Sequence, residues 1–236
     1  MAIDKAYLHY LAPVLREAAL LQNPKVACLS YPDLLMPPAE VAKFIPGIGE
    51  GNLSVRSDSE EICQWHGLSK GTPITDTSSL FRALGMTADF FDVKQFRGEE
   101  IIVDLNEKLP CEYEGQYDLV IDTGTLEHCF NVGQAFLNMC KLVKVGGVVI
   151  TQAPMTKMNH GFWNFSPCVY ENFFYQNLWV QKKINAYYRE GERLSTFTPP
   201  GNQRFVSPSE AIVIGVFKRE SGSTIKMPIQ KKYLRL

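Results

Sequence analysis

The chain has 236 residues and a formal charge of −1, with 45% hydrophobic and 21% charged residues, the make-up of an ordinary folded protein. That length suits one domain, 1–236, with an insertion or a tail. No apolar run is long enough for a membrane-spanning helix, and Asp4, Lys5, Arg16 and Glu17 interrupt the N-terminal apolar residues, which excludes a signal-peptide core. The near-neutral balance argues against nucleic-acid binding through bulk charge.

Residues 3–22 repeat apolar side chains at helical spacing, with Pro13 marking a kink or restart, so 1–24 is an N-terminal helix segment. Lys25–Ser30 (KVACLS) reads as the first strand, closed by Tyr31-Pro32-Asp33. Residues 36–73 are rich in Pro, Gly, Ser and charge, an insertion with short helices near 38–45 and 58–66. Ser78–Leu84 is helical, with Thr77 as its N-cap and Gly85 as its stop. Strands follow at Ala88–Val93, Glu100–Leu105 and Tyr117–Asp122. Val132–Leu142 is an amphipathic helix, Val148–Gln152 a strand and Tyr170–Gln176 a helix. Leu178–Tyr188 and Ala211–Lys218 read as strands, with a polar loop containing Pro199-Pro200-Gly201-Asn202 between them. The tail 219–236 is basic, through Lys226, Lys231, Lys232 and Arg235; it either binds a polyanion or lies across the domain through Met227, Ile229, Tyr233 and Leu234.

Short apolar strands alternating with helices mean a mostly parallel sheet covered on both faces, and in such sheets ligands sit beyond the carboxyl ends of the strands. Asp33, Asp92, Asp104, Asp122 and Thr123-Gly124 all fall there. Singly, such acids can also cap the next turn. On successive strands they point to a ligand bearing hydroxyls and amines. Six cysteines (Cys28, Cys63, Cys111, Cys129, Cys140, Cys168) and four histidines show no metal-ligand spacing, so no metal is expected, and the thiols read as reduced in a cytoplasmic protein.

The segment YDLVIDTGTLEHCFNVGQAFLNMCKLVKVGGVVITQAP (117–154) resembles a class I S-adenosylmethionine-dependent methyltransferase. Tyr117-Asp118-Leu119-Val120, Leu126-Glu127-His128, Val145-Gly146-Gly147 and Val148–Thr151 carry the likeness, with Val145 where the family has proline. LFRALGMTADFFDV and IIVDLNEKLP resemble its second and third strands, and the last two strands its antiparallel closing pair, so the likeness covers roughly 75–218. It implies a Rossmann-like α/β fold with a mostly parallel seven-stranded sheet and S-adenosylmethionine as cofactor. By the same likeness Asp92, with Val93 beside it, meets the ribose, Asp104 and Leu105 meet adenine, and Asp122, Thr123 and Gly124 lie under the methionine portion. Asp33 closes the first strand and joins this set.

The family's glycine-rich loop after the first strand is absent; Leu29-Ser30-Tyr31-Pro32-Asp33 stands there. Gly47-Ile48-Gly49-Glu50-Gly51 follows no strand and opens no helix, so it reads as a surface loop. The segment 25–33 then stands as the first strand, with 36–73 an insertion over the cofactor end.

An O-methylation benefits from a base beside the acceptor hydroxyl. His160, and second to it His128, are the candidates, each just past a strand. Phe162, Trp163 and Asn164 offer aromatic faces and an amide suited to a sugar-like acceptor, or else cover the sheet as core. The partner is then a small-molecule acceptor, with no nucleic acid and no membrane span, and a homodimer is left open. A binding or scaffold subunit that has lost catalysis is the alternative. A dinucleotide-dependent oxidoreductase ranks last, because no glycine-rich turn joins the first strand to a helix.

Overall fold

The computed structural model describes residues 1–177, 179–191, 193–201 and 203–234. Its centre is an eight-stranded sheet in the order β5-β4-β2-β6-β7-β10-β8-β9. The strands are β2 (Lys25–Leu29), β4 (Thr87–Asp92), β5 (Glu100–Ile102), β6 (Tyr117–Asp122), β7 (Val143–Pro154), β8 (Trp179–Glu190), β9 (Arg193–Phe197) and β10 (Ile212–Arg219). From β5 to β7 all neighbours are parallel, whereas β10 runs antiparallel to both β7 and β8. This is the expected Rossmann-like α/β sheet with its antiparallel closing pair. The eighth strand, β9, replaces part of the expected polar loop. It is an edge strand (RLSTF) with no fully buried side chain, so it carries no apolar alternation to read. Leu178, Asn202 and Arg235, named in the sequence reading, lie outside the described residues.

The first strand ends at Leu29 rather than running to residue 33. Ser30 adopts a left-handed φ of 66°, which breaks the extended chain. Asp33–Leu34 forms a separate strand, β3, parallel to β1 (Ala2–Ile3). The strand expected at Val148–Gln152 extends back to Val143, because Tyr117 pairs with Val143 and Leu119 with Val148, and 144–147 bulge out through Gly146 at φ 89°. The strand expected at Glu100–Leu105 stops at Ile102, which leaves Asp104 and Leu105 in the following turn.

Alternate strand residues feed two cores. Val26, Cys28, Leu119 and Ile121 pack on one face against α1 (Lys5–Ala18), with α2 (Pro38–Phe44) and α4 (Thr77–Ala83). Ala27, Leu29, Val120 and Val149 pack on the other against α5 (Val132–Leu142) and α6 (Pro167–Gln176). Helix α1 starts at Asp4, whose carboxylate accepts from Tyr7 N at 2.8 Å, and it continues through Pro13 without a restart. Helix α4 is capped by Asp76, which accepts from Ser79 N at 2.9 Å. The Thr77 hydroxyl, expected to cap it, donates instead to the Pro32 carbonyl at 2.6 Å.

The insertion folds as α2 and α3 (Ser59–His66). Gly47, Gly49 and Gly51 have open space where a Cβ would stand, with no described residue packed there. The tail runs along α6. Asn177 exchanges two hydrogen bonds with Lys226 (2.7 and 2.9 Å), Gln176 Oε1 accepts from Ile229 N at 2.9 Å, and Asn172 Oδ1 accepts from Lys231 N at 2.6 Å. Among the described residues no helix is long and apolar enough to cross a membrane.

Candidate functional site

A cavity of about 630 Å³ opens beyond the carboxyl ends of β6 and β7. Thr123, Gly124, Glu127, His128, Gln152 and His160 line it, and Trp65 and His66 from α3 reach it from the insertion. Its size lies within the range of about 300–1,000 Å³ common for small-molecule sites.

The wall grows from the end of β6. The Asp122 carboxylate is fully buried and accepts from Gly124 N (3.2 Å), Thr125 N (2.8 Å) and Thr151 Oγ1 (2.6 Å). Burial raises its pKa although these donors oppose the rise. Asp122 therefore builds the turn, and Thr123-Gly124 present its surface to the cavity. Gly124 sits at φ 98°, where a side chain is strained, and a Cβ there would lie 2.8 Å from Glu127 Oε1. The Thr123 hydroxyl is buried and has no hydrogen-bond partner among the described residues.

Glu127 stands in the short helical turn Leu126–His128. Its carbonyl accepts from Phe162 N (2.9 Å) and Trp163 N (3.3 Å), which ties the loop after β7 to the loop after β6. A Cβ on Gly161 would lie 2.8 Å from that carbonyl, so only glycine permits the approach. The Glu127 side chain is 1% exposed; Oε1 lies 3.6 Å from His160 Nε2, and Oε2 has no hydrogen-bond partner among the described residues. Burial, and then the charge of Asp122, raise its pKa. The rings of His128 and His160 are 5.3 Å apart between centroids. Burial lowers both pKa values; the positive chain terminus adds to this at His128, and Lys157 at His160. One donor atom from each of Glu127, His128 and His160 falls within 4.8 Å of the others. No sequence spacing announces this cluster, because only the fold joins the two loops.

The other expected residues are distributed differently. Asp33 is buried, with Arg97 donating to both its oxygens at 2.8 Å and His66 Nε2 at 3.0 Å. Asp92 is buried at the end of β4 and accepts from Val93 N at 2.7 Å. Burial raises its pKa, against the Ser30 hydroxyl and the Val93 amide. Val93 itself is exposed. Asp104 accepts from Asn106 N and Nδ2, both at 2.8 Å, and Leu105 is core. Of the expected cofactor residues, Thr123 and Gly124 line the cavity, while the side chains of Asp33, Asp104 and Asp122 are bound within the protein.

Phe162 and Trp163 pack on Phe130, at ring separations of 5.5 and 6.3 Å, and none of the three lines this cavity. Trp163 Nε1 donates to the Cys129 carbonyl at 3.1 Å, and Asn164 Oδ1 accepts from Lys157 N at 2.9 Å. Trp163 and Asn164 line a second hollow of about 240 Å³, where Met227 and Pro228 of the tail also lie. Sequence reasoning missed Glu127, Gln152 and Lys157. Glu127 lay in view inside the Leu-Glu-His turn, but its burial was not.

No protein-family model matches the chain, and no curated protein matches it. Solved structures resemble it weakly. The Burkholderia thailandensis 1,6-didemethyltoxoflavin-N1-methyltransferase, solved with S-adenosylhomocysteine, is 11% identical with a TM-score of 0.45, over 89% of this chain and 80% of that one. A SAM-dependent methyltransferase from Archaeoglobus fulgidus is 11% identical with a TM-score of 0.46, over 90% and 92%. TehB from Haemophilus influenzae is 11% identical with a TM-score of 0.42, over 88% and 61%. Likenesses of this strength lend no residue of the present chain a role.

Proposed function

We propose that this protein transfers a methyl group from S-adenosylmethionine to a small acceptor, a hydroxyl of a sugar or glycan precursor. The observation that carries the reading is the cavity beyond β6 and β7, of small-molecule size and lined by Thr123, Gly124, His128 and His160. A cavity beyond the carboxyl ends of the strands stands where sheets of this kind take their ligands. The sequence motifs in 117–154 supply the reaction class.

The residues present fit the cofactor at its amino-acid end, where Thr123 and Gly124 line the cavity and the missing side chain at Gly124 leaves its backbone open to approach. Asp92 Oδ1 takes the Val93 amide, and the carboxylate keeps acceptor capacity for a diol. When bound, the cofactor supplies an electrophilic methyl group, and the protein contributes mainly alignment. His160 and His128 are proposed to meet the acceptor hydroxyl and assist its loss of a proton. Trp65 of the insertion, which lines the cavity, and Phe162 and Trp163, on the loop that carries His160, are proposed to hold the acceptor's apolar face and limit access of water.

Calorimetric titration with S-adenosylmethionine and S-adenosylhomocysteine tests the reading. Binding of both is expected, and binding of neither at millimolar concentration would sink it. The Asp33–Arg97 link, standing after the first strand in place of a glycine-rich loop, favours the second reading: a methyltransferase-like binding or scaffold subunit. The same titration separates the two.

A further inference from the structure

We propose that Glu127, His128 and His160 form a site for a divalent first-row transition cation such as zinc or manganese, with its open positions turned into the cavity. Their donor atoms already lie within 4.8 Å of one another, and Glu127 Oε1 is 3.6 Å from His160 Nε2. Bonds of about 2.0–2.2 Å to one ion place neighbouring ligand atoms roughly 3–3.5 Å apart. Only a small inward rotation is needed, and both histidines are exposed enough to make it.

The second observation is independent of that spacing. The Glu127 carboxylate is almost wholly buried, and among the described residues its Oε2 has no hydrogen-bond partner. A buried carboxylate is unfavourable when charged; the positive chain terminus offsets part of that penalty at Glu127, and a bound cation would offset more. Lys157 also lines the cavity, but its ammonium lies 3.9 Å from Glu210. The backbone is built for the meeting as well. Gly161 lets the His160 loop press on the Glu127 carbonyl, and two amides of that loop bond to it.

The donor set selects the ion class. Two imidazoles and one carboxylate suit zinc, manganese, cobalt or iron(II), whereas magnesium and calcium prefer oxygen cages. Three protein ligands leave positions for an oxygen of the acceptor. This deepens the proposed function and rests on it for the acceptor: His128 and His160 would assist the loss of the hydroxyl proton through the cation they ligate rather than as free bases, the cation binding the hydroxyl and easing release of its proton to water.

The test uses the full chain, stripped with a chelator and titrated with manganese, zinc and cobalt chlorides by calorimetry, with the visible spectrum of the cobalt form recorded. One equivalent is expected to bind. His128→Ala, His160→Gln and Glu127→Gln should each weaken binding by at least about tenfold, as loss of one of three ligands requires, at an unchanged circular dichroism spectrum. Absence of binding at millimolar metal overturns the inference. So does binding that survives both histidine substitutions, which would place the ion elsewhere, on a cysteine for example. Titration of the same samples with S-adenosylhomocysteine keeps the two proposals apart: cofactor binding without metal binding defeats this inference alone, and metal binding without cofactor binding defeats only the methyl-transfer reading.

Discussion

Arg97 donates two hydrogen bonds to Asp33, from Nε and Nη2, each 2.8 Å long and joining residues 64 apart in sequence. The pair ties the chain that leaves β2 to the loop that follows β4. His66 Nε2 adds a third contact to the same carboxylate at 3.0 Å and brings in the insertion. Three segments that an open cofactor loop would leave separate are thus held by one buried acid.

That carboxylate sets a pH dependence. Burial alone would raise the Asp33 pKa, but hydrogen bonds from His66 and Arg97, with their charges, hold it below the usual range. Asp58, 3.8 Å from Arg97, shares the guanidinium. A depressed carboxyl pKa contributes stability above its unfolded value, and that stability is lost as pH falls through the folded value. Asp33→Asn should therefore cost about 1–3 kcal/mol at neutral pH, the scale of stranding a buried polar partner. The gap from the parent should close as the solution is acidified below the ordinary carboxylate range. Urea melts at several pH values check this; an equal gap at all pH values would refute it.

Asp92 is the expected residue whose cofactor role is open to direct measurement. It is buried, and the structure gives it the Ser30 hydroxyl and the Val93 amide as partners. Asp92→Ala should weaken S-adenosylhomocysteine binding by about 1.5–3 kcal/mol, the scale of hydrogen bonds to a charged group. A loss below that scale at intact stability would remove Asp92 from the site.

Gly161 makes a sharper steric prediction. A Cβ there would stand 2.8 Å from the Glu127 carbonyl, which already accepts from Phe162 N and Trp163 N. Gly161→Ala forces the loop outward and strains both hydrogen bonds. The expected cost is about 1–3 kcal/mol, as for other overpacked sites, with increased amide exchange at Phe162 and Trp163. Unchanged exchange at both would show that the loop does not depend on this approach.

The elements most legible in the sequence are Tyr117–Asp122 and Val132–Leu142, whose bounds the structure reproduces. A strand buried on both faces reads as one apolar run, and an amphipathic helix keeps its period, so both are local signals. Ser30 shows the limit. Its left-handed φ ends β2, yet nothing in KVACLS marks a serine for that conformation. The site was legible by half. Thr123-Gly124, His128 and His160 follow from the rule about strand ends, and all four line the cavity. The buried Glu127 between them was not legible, because its isolation from partners arises only when the loops after β6 and β7 close on it.

The tail is the last place where sequence and structure can be tested against each other. Its basic residues allow a polyanion-binding arm, but the structure lays it on α6 through side-chain amides that bond its backbone. Asn177 takes both groups of Lys226, Gln176 receives Ile229 N while its Nε2 donates to the Ile229 carbonyl at 2.5 Å, and Asn172 receives Lys231 N. Met227 reaches the helix α5 surface, where a Cβ on Gly133 would meet its Cε at 2.9 Å. Such bonds stabilise by about 0.5–1.5 kcal/mol each, since water competes for the same groups. Truncation before Ser221 should therefore lower the melting temperature by several degrees, and Asn177→Ala should reproduce a part of that loss. The truncated chain would expose Val132, Phe136 and Phe173, which line the hollow beside Met227, and should aggregate more readily. A truncated protein as stable and as soluble as the parent would show that the tail contributes nothing to the fold and return its cations to a binding role.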